Sequence, residues 1–243
     1  MTRRITNHLS KSDAVLAGLI KAAGPYKLAP QLEHTLFRAL AHAISHQQLH
    51  ANAANAILKR FIASCGSGDF PLPEEVLAAP TQTLRAAGFS LAKIAALNDL
   101  ARKTLEGVVP QRALLGDLDD TAIIERITQV RGIGRWTVQM MLMFQLGRPD
   151  VLPAEDFGVR TGFRLAYGLR KMPTPRALAA YGERWRPHRT AAAWYLWRAI
   201  ELARAGKLPA PSERIRLPRA KKKRRAKRAT KAVAKKANRV SVS

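Results

Sequence analysis

The chain has 243 residues, with 42 Lys or Arg against 17 Asp or Glu, and therefore a formal net charge of +25. Its 47% hydrophobic content is enough for a sizeable core in one or two domains and excludes wholesale disorder. A single cysteine, Cys65, excludes an intramolecular disulfide and any all-cysteine metal site, and predicts a reducing, intracellular location.

Neither a secretory signal nor a membrane span is evident in the sequence. The N-terminal residues MTRRITNHLSKSDAV lack an apolar core, and no run approaches the roughly 18 apolar residues that a membrane span requires. We therefore expect a protein in solution, with no membrane partner.

Helical periodicity runs through most of the chain. Apolar residues recur at helical spacing, and no stretch rich in β-branched residues alternates with a period of two, which predicts an all-α fold. Glycine or proline separates the segments. In chain order, the predicted helices cover residues 12–23, 32–45, 50–64, a first turn at 73–75, 81–87, 90–106, 121–130, 135–146, 156–169, 174–184 and 189–205.

The basic residues are concentrated at the C-terminus. Fourteen of them lie between Arg214 and Ser243, where no acidic residue occurs, and the rest of the chain still carries 28 basic against 17 acidic side chains. Such a run repels itself too strongly to fold, so residues 211–243 are predicted to be a disordered Lys/Arg-rich tail. Nucleic acid is the partner that this charge favours. A merely solubilising tail is the alternative, and an anionic membrane is less favoured.

Two glycines mark a tight turn between predicted helices. Gly132 and Gly134 stand two residues apart in ITQVRGIGRWTVQMM, and glycine allows the φ > 0 geometry that such a turn requires. The pattern indicates a helix–hairpin–helix over about residues 121–147. Its outward N–H groups, at the start of the second helix, would suit one DNA phosphate. By itself the pattern fits a plain interhelical turn equally well.

The residues beyond the hairpin carry a family resemblance. Asp156 follows Trp136 by twenty residues, after a loop that contains Gly147 and Pro149. The segment VRGIGRWTVQMMLMFQLGRPDVLPAEDFGVR resembles the helix–hairpin–helix, Gly/Pro-rich loop and aspartate signature of the base-excision DNA glycosylases, most of all their 3-methyladenine DNA glycosylase II branch in its compact form. Three further segments match that branch. They are FRALAHAISHQQLHANAANAILKRF, LRAAGFSLAKIAALNDLA and WRPHRTAAAWYLWRA.

The resemblance spans roughly residues 30–205 and implies a fold and an activity. The fold would be all-α, with two helical subdomains and a DNA-binding cleft between them, over residues 1–210. The activity would be a monofunctional hydrolysis of the N-glycosidic bond of alkylated purines, 3-methyladenine foremost and then 7-methylguanine, in duplex DNA. Two alternatives stay open: a glycosylase for deaminated or oxidised bases, and a noncatalytic helix–hairpin–helix protein that binds DNA.

The same resemblance assigns roles around the base to three residues. Asp156 would be the catalytic carboxylate that stabilises an oxocarbenium-like sugar, with an ordinary helix N-cap as its alternative and Glu155 as a secondary candidate. Trp136 stands where strand-cutting relatives carry a nucleophilic lysine, and its indole face would attract a cationic base. A buried core tryptophan is its alternative. Met140 would reach the same pocket from one turn further along the helix.

Other residues are expected to contact DNA or to pack. Gly132, Gly134 and Arg135 would bind the DNA backbone. Gln48, flanked by Gln47 and Leu49, would fill the stack that an extruded base leaves, with a solvated loop as its alternative. The remaining tryptophans are expected to pack mainly in the core. These are Trp185, Trp194 and Trp197.

The resemblance implies no cofactor, no iron–sulfur cluster and no metal at the site, while it allows a monovalent cation at the contact between hairpin and phosphate. His46 and His50 lack partners at metal-ligand spacing. The implied partner is double-stranded DNA that contains alkylated bases, bound by a monomer in the bacterial cytosol or nucleoid.

Overall fold

The computed structural model describes residues 2–32, 34–66, 69–116, 118–213, 215 and 217, and these residues form helices and no strand. The all-α prediction is confirmed. The helices are α1 (Thr2–Ser12), α2 (Ala14–Ala23), α3 (Leu36–His46), α4 (Ala51–Cys65), α5 (Pro73–Ala78), α6 (Thr81–Ala87), α7 (Leu91–Leu105), α8 (Asp120–Ile127), α9 (Arg135–Phe144), α10 (Phe157–Ala166), α11 (Pro175–Gly182) and α12 (Arg189–Arg204), with 3-10 turns at Arg112–Leu115 and Glu183–Trp185. None of the described helices combines the length and the hydropathy needed to cross a membrane.

Capping residues explain where predicted and observed helices differ. The helix predicted over residues 12–23 is α2, which begins two residues later because the Asp13 side chain accepts the N–H groups of Val15 and Leu16. The preceding residues, for which no helix is predicted, form α1. The helix predicted from residue 32 begins only at Leu36, where the Thr35 hydroxyl caps it.

The helices pack in two groups. α2 contacts α10 and α12, and α1 contacts α2 and the 3-10 turn at Glu183–Trp185, so the two ends of the chain form one group. The middle of the chain, from α3 to α9, forms the other through the contacts of α3 with α4 and α7 and of α5 with α7. α9 of the hairpin packs on α3. The two predicted helical subdomains correspond to these groups.

Most of the predicted tail lies outside the described residues, which stop at 213 apart from Ile215 and Leu217. These two side chains and Pro211 line a pocket together with residues 167–171, just after α10. The prediction of a disordered segment over 211–243 therefore stays a prediction.

A buried carboxylate joins the N-terminal helices to the C-terminal ones. Asp13 is only 3% exposed, and its Oδ2 accepts hydrogen bonds from the Tyr167 hydroxyl at 2.6 Å and the Trp185 indole at 2.9 Å. Burial, together with the charge of Asp13, raises the pKa of Tyr167 and keeps its hydroxyl a donor. Because each oxygen of this carboxylate has donors, the burial of its charge is compensated.

Glycine sets the approach of α10 to α12. A Cβ added at Gly162 would lie 1.8 Å from the backbone oxygen of Leu196, and one at Gly158 would lie 2.9 Å from the Trp197 ring. The two helices therefore touch backbone to backbone at Gly162 and backbone to side chain at Gly158, and α10 carries Asp156 at its N-cap.

We expect Gly162→Ala to lower the free energy of unfolding by about 3 kcal/mol, because the backbone of α12 must move to admit the methyl group. Gly18→Ala in α2 is the matched control. Nothing lies within 4 Å of its added Cβ, so the better helix propensity should raise stability by about 0.5–1 kcal/mol. Urea unfolding measures both changes, and an unaltered midpoint for Gly162→Ala would contradict the packing described.

Candidate active site

The carboxylate of Asp156 is held by three N–H donors. It caps α10, since Oδ1 accepts the N–H of Val159 at 2.6 Å. The same oxygen accepts the indole N–H of Trp197 at 3.0 Å, and Oδ2 accepts that of Trp136 at 2.8 Å. Asp156 is partly exposed. The N-cap alternative is therefore correct, and the cap leaves room for a second role because tryptophans from α9 and α12 also hold the carboxylate.

The two indoles differ in exposure. Trp136 is 48% exposed, so the alternative of a buried core residue is wrong for it. Trp197 is half-buried and stacks on Phe144, with ring centroids 5.9 Å apart and planes 25° from parallel. The prediction that Trp197 packs in the core describes only part of its role, because its indole N–H also donates a hydrogen bond to Asp156. Helical spacing shows that Trp197 faces inward but not which carboxylate it meets.

The other two tryptophans fill the interior as expected. Trp185 is fully buried beside Phe163. Trp194 packs edge-on against Tyr26, with ring centroids 5.4 Å apart, and against Tyr195 at 4.9 Å.

The loop that leads to Asp156 is fixed to the start of α12. The Arg189 guanidinium donates to the Asp150 carboxylate at 2.8 Å and to its backbone oxygen, also at 2.8 Å. The Thr190 hydroxyl accepts the N–H of Val151 at 3.0 Å and donates to the backbone oxygen of Arg148 at 2.6 Å. These contacts hold the Gly/Pro-rich loop against the same helix that supplies Trp197.

A cavity of about 580 Å³ opens between α3 and α9. Trp136 and Met140 both line it, as predicted. The indole of Trp136 therefore faces the cavity while its N–H reaches Asp156. The described residues that line it are Ala39, Leu40, His42, Ala43, His46, Gln47, Gln48, Gly132, Trp136, Thr137, Met140, Met141, Phe144 and Gln145.

The loop after α3 is strained at the predicted wedge residue. Among the described residues, Gln48 is the one non-glycine residue with a positive φ, at 56°. Such a conformation costs energy for a residue with a side chain and is found most often at functional sites. Leu49 beside it is exposed. The neighbouring Gln47 donates from Nε2 to the backbone oxygen of Gly132 at 2.9 Å, so this loop is tied to the hairpin.

The hairpin presents bare backbone at the start of α9. Gly132 has a φ of 76°, and Gly134 is the N-cap of α9 without a side-chain cap. Both glycines and Arg135 are exposed, while Ile133 between the glycines is buried. Unsatisfied N–H groups at a helix N-terminus bind anions, and this turn has the geometry for one phosphate.

Asp99 on α7 holds the hairpin turn in place. Its Oδ2 accepts the backbone N–H of Arg131 at 2.7 Å and the Lys103 ammonium at 2.8 Å, and Lys103 also donates to the backbone oxygen of Gln129. Burial by itself would raise the pKa of Asp99, but these hydrogen bonds and the charges of Lys103 and Arg102 outweigh it and lower the pKa. Sequence analysis missed this residue, since its spacing to Lys103 indicates only an ordinary helical ion pair.

Sequence comparison places the chain among DNA repair proteins. Residues 41–187 match the family described as HhH-GPD superfamily base excision DNA repair protein. The chain is 42% identical over 197 residues to DNA-3-methyladenine glycosylase 1 of Schizosaccharomyces pombe, covering 81% of this chain and 86% of that one. It is 31% identical over 205 residues to the alkylbase DNA glycosidase-like protein mag2 of the same organism, covering 84% and 96%.

Solved structures give the same result. The S. pombe 3-methyladenine DNA glycosylase in complex with abasic DNA superposes with a TM-score of 0.73 at 41% identity, covering 82% of this chain and 98% of that one. A DNA-3-methyladenine glycosidase from Bacillus halodurans gives a TM-score of 0.75 at 31% identity, covering 82% and 91%. The chain belongs to the HhH-GPD superfamily of base excision DNA repair proteins.

Asp99→Ala should weaken binding to duplex DNA about tenfold, because the turn that offers its N–H groups to a phosphate loses its anchor. Fluorescence anisotropy with an abasic duplex measures the change. Asp69→Ala is the control, since its side chain is 92% exposed. Removing a negative charge alone strengthens attraction to DNA, so a gain in affinity for both variants would contradict the anchoring role.

Proposed function

We propose that this chain is a monofunctional DNA-3-methyladenine glycosylase, which hydrolyses the N-glycosidic bond of alkylated purines in duplex DNA and so initiates base excision repair. The observation that carries the proposal is the Asp156 carboxylate held by two indole N–H groups beside an uncharged cavity. The names of its relatives and the DNA in the S. pombe complex support it.

Asp156 is proposed as the catalytic residue. Breaking the bond between sugar and base builds positive charge at the sugar C1′, and a fixed carboxylate facing that carbon stabilises the transition state. Its three N–H donors orient the carboxylate before the reaction, so little reorganisation is needed as the charge develops. A noncatalytic DNA-binding protein would have no use for this arrangement.

Trp136 and Met140 are proposed to hold the extruded base. The indole of Trp136 is half exposed and faces the cavity, and its π face attracts an electron-poor, cationic N-alkylpurine. Such a base is already a good leaving group, so the reaction needs no dedicated general acid. The described lining accordingly offers no carboxylic acid and no lysine.

Cleavage of the strand would need an amine nucleophile at the site. The indole of Trp136 cannot form a Schiff base, and it occupies the position of the lysine in strand-cutting relatives. We therefore propose that the products are a free purine and an intact strand with an abasic site.

DNA is proposed to be gripped at the hairpin and opened by the loop after α3. Gly132, Gly134 and Arg135 would bind the backbone, and Gln48 with Leu49 would occupy the vacated stack. The hydrogen bond from Gln47 to Gly132 joins these two contacts, so that extrusion of a base and capture of a phosphate occur on one rigid surface.

Asp156→Asn should slow single-turnover excision of 3-methyladenine by a factor on the order of a thousand, because the amide keeps the shape and removes the charge. Binding to an abasic duplex should stay within about threefold of the wild type. Glu155→Gln makes the same chemical change at an exposed neighbour and should excise normally. Excision by Asp156→Asn within tenfold of the wild type would end the assignment.

Product analysis tests the monofunctional assignment separately. The wild type should release free 3-methyladenine and leave an alkali-labile abasic site, and borohydride should trap no adduct because no lysine is among the described residues that line the cavity. An efficient covalent adduct with DNA would contradict this.

Trp197→Phe should slow excision about tenfold, since the aromatic ring still packs on Phe144 but one N–H donor to Asp156 is lost. Trp194→Phe removes the same indole N–H three residues earlier on α12, where the ring packs on Tyr26. Single-turnover assays on both variants, with urea unfolding to match their stabilities, separate the hydrogen bond from the packing. Equal rates for the two variants would show that the Trp197 donor is unimportant.

A further inference from the structure

The cavity between α3 and α9 owes its charge to two histidines. None of the described residues that line it is Lys, Arg, Asp or Glu, and its ionisable side chains are two histidines, His42 and His46. They stand one helical turn apart on α3 and point to the same side. Their rings stack, with centroids 4.0 Å apart and planes 17° from parallel. The charge of this wall therefore increases when His42 gains a proton.

The two rings are held differently. His46 Nδ1 lies 3.0 Å from the backbone oxygen of His42, and its Nε2 lies 3.1 Å from the Oδ1 of Asn55 on α4. His46 is therefore fixed by contacts on both sides of its ring. His42 stacks on this fixed ring, which removes part of its imidazole from water, while the rest of the side chain is exposed and can take a proton from solvent.

We propose that His42 is a specificity-determining residue of the base cavity, which admits cationic alkylated bases when it is neutral and repels them when it is protonated. This proposal rests on the proposed function, because a charge on the wall matters only if the base that enters is itself charged.

The groups around His42 keep it neutral at physiological pH. Burial lowers its pKa below the ordinary value of 6.5, and the positive potential of His46, His34 and Arg38 lowers it further. α9 contributes Trp136 and Met140 to the facing wall and no charged side chain. His42 therefore gains its proton only in acid, and it adds no charge to the wall at physiological pH.

The size of the effect follows from Coulomb's law. Two like charges about 6 Å apart, at an effective dielectric constant of about 20, weaken binding by tenfold or more. The proposal therefore predicts a loss of excision on acidification that depends on one side chain. Neither DNA binding as such nor the chemistry at Asp156 would depend on that side chain.

The experiment follows release of 3-methyladenine from methylated duplex DNA under single-turnover conditions between about pH 5.5 and 8.5, with spontaneous release subtracted. Each enzyme is compared with its own rate at about pH 7.5. The wild type should lose several-fold in rate on acidification to about pH 5.5, where part of His42 is protonated, and His42→Gln should lose much less. His42→Lys, which carries the charge at every pH, should be about tenfold slower than His42→Gln at about pH 7.5.

Two controls separate this effect from others. Affinity for an abasic duplex, which places no base in the cavity, should follow the same pH dependence in the wild type and in His42→Gln. His8→Gln on α1 removes a histidine that does not line the cavity and should keep the wild-type profile. Superimposable profiles for the wild type and His42→Gln, or equal rates for His42→Gln and His42→Lys, would overturn the proposal. A wild type that releases no 3-methyladenine at any pH would instead overturn the proposed function, and this inference with it.

Discussion

The hydrogen bonds to the Asp156 carboxylate are the interaction on which the rest of the site depends. They come from α10 itself, from Trp136 on α9 and from Trp197 on α12, so three helices must be in place before the carboxylate is. Gly158 and Gly162 allow α10 to lie close enough to α12 for this to happen. Core packing thus fixes the position of one charge, the proposed catalytic carboxylate, through the spacing of the helices.

A second constraint joins the surfaces that face DNA. The loop after α3 and the hairpin lie far apart in the sequence, yet Gln47 bonds to Gly132 and Asp99 bonds to the backbone of Arg131. The strained Gln48 is part of this arrangement, since its backbone conformation persists only where its surroundings hold it. In the proposed function, a rigid surface of this kind would let the free energy of binding the DNA backbone hold a base outside the double helix.

Positive charge is distributed unevenly between the chain as a whole and the lining of the cavity. The chain as a whole carries +25, which favours association with DNA of any sequence. The described lining of the cavity, by contrast, has neither Lys nor Arg. The proposed function needs this separation, because a positive side chain in the cavity would repel a cationic base.

The sequence by itself determined the helices and caps that depend only on residues close together in the chain. Helical periodicity, the Ser90 cap of α7 and the bounds of α6 at Thr81 and Ala87 are local properties, and they were predicted correctly. The glycine turn and the spacing to Asp156 were sufficient for the family. α1 shows the limit, because no helix is predicted for it, and the Asp13 cap that begins α2 marks its end.

Only the tertiary structure decided which distant groups meet. Three hydrogen bonds show this: Trp185 to Asp13, Trp197 to Asp156, and the backbone N–H of Arg131 to Asp99. They join residues between 32 and 172 positions apart in the sequence. No periodicity or local motif encodes such pairs, since they arise when separately formed helices pack by burying their apolar faces. Hydrogen bonds act only at short range, so a donor can be assigned to its acceptor only after that packing has brought them together.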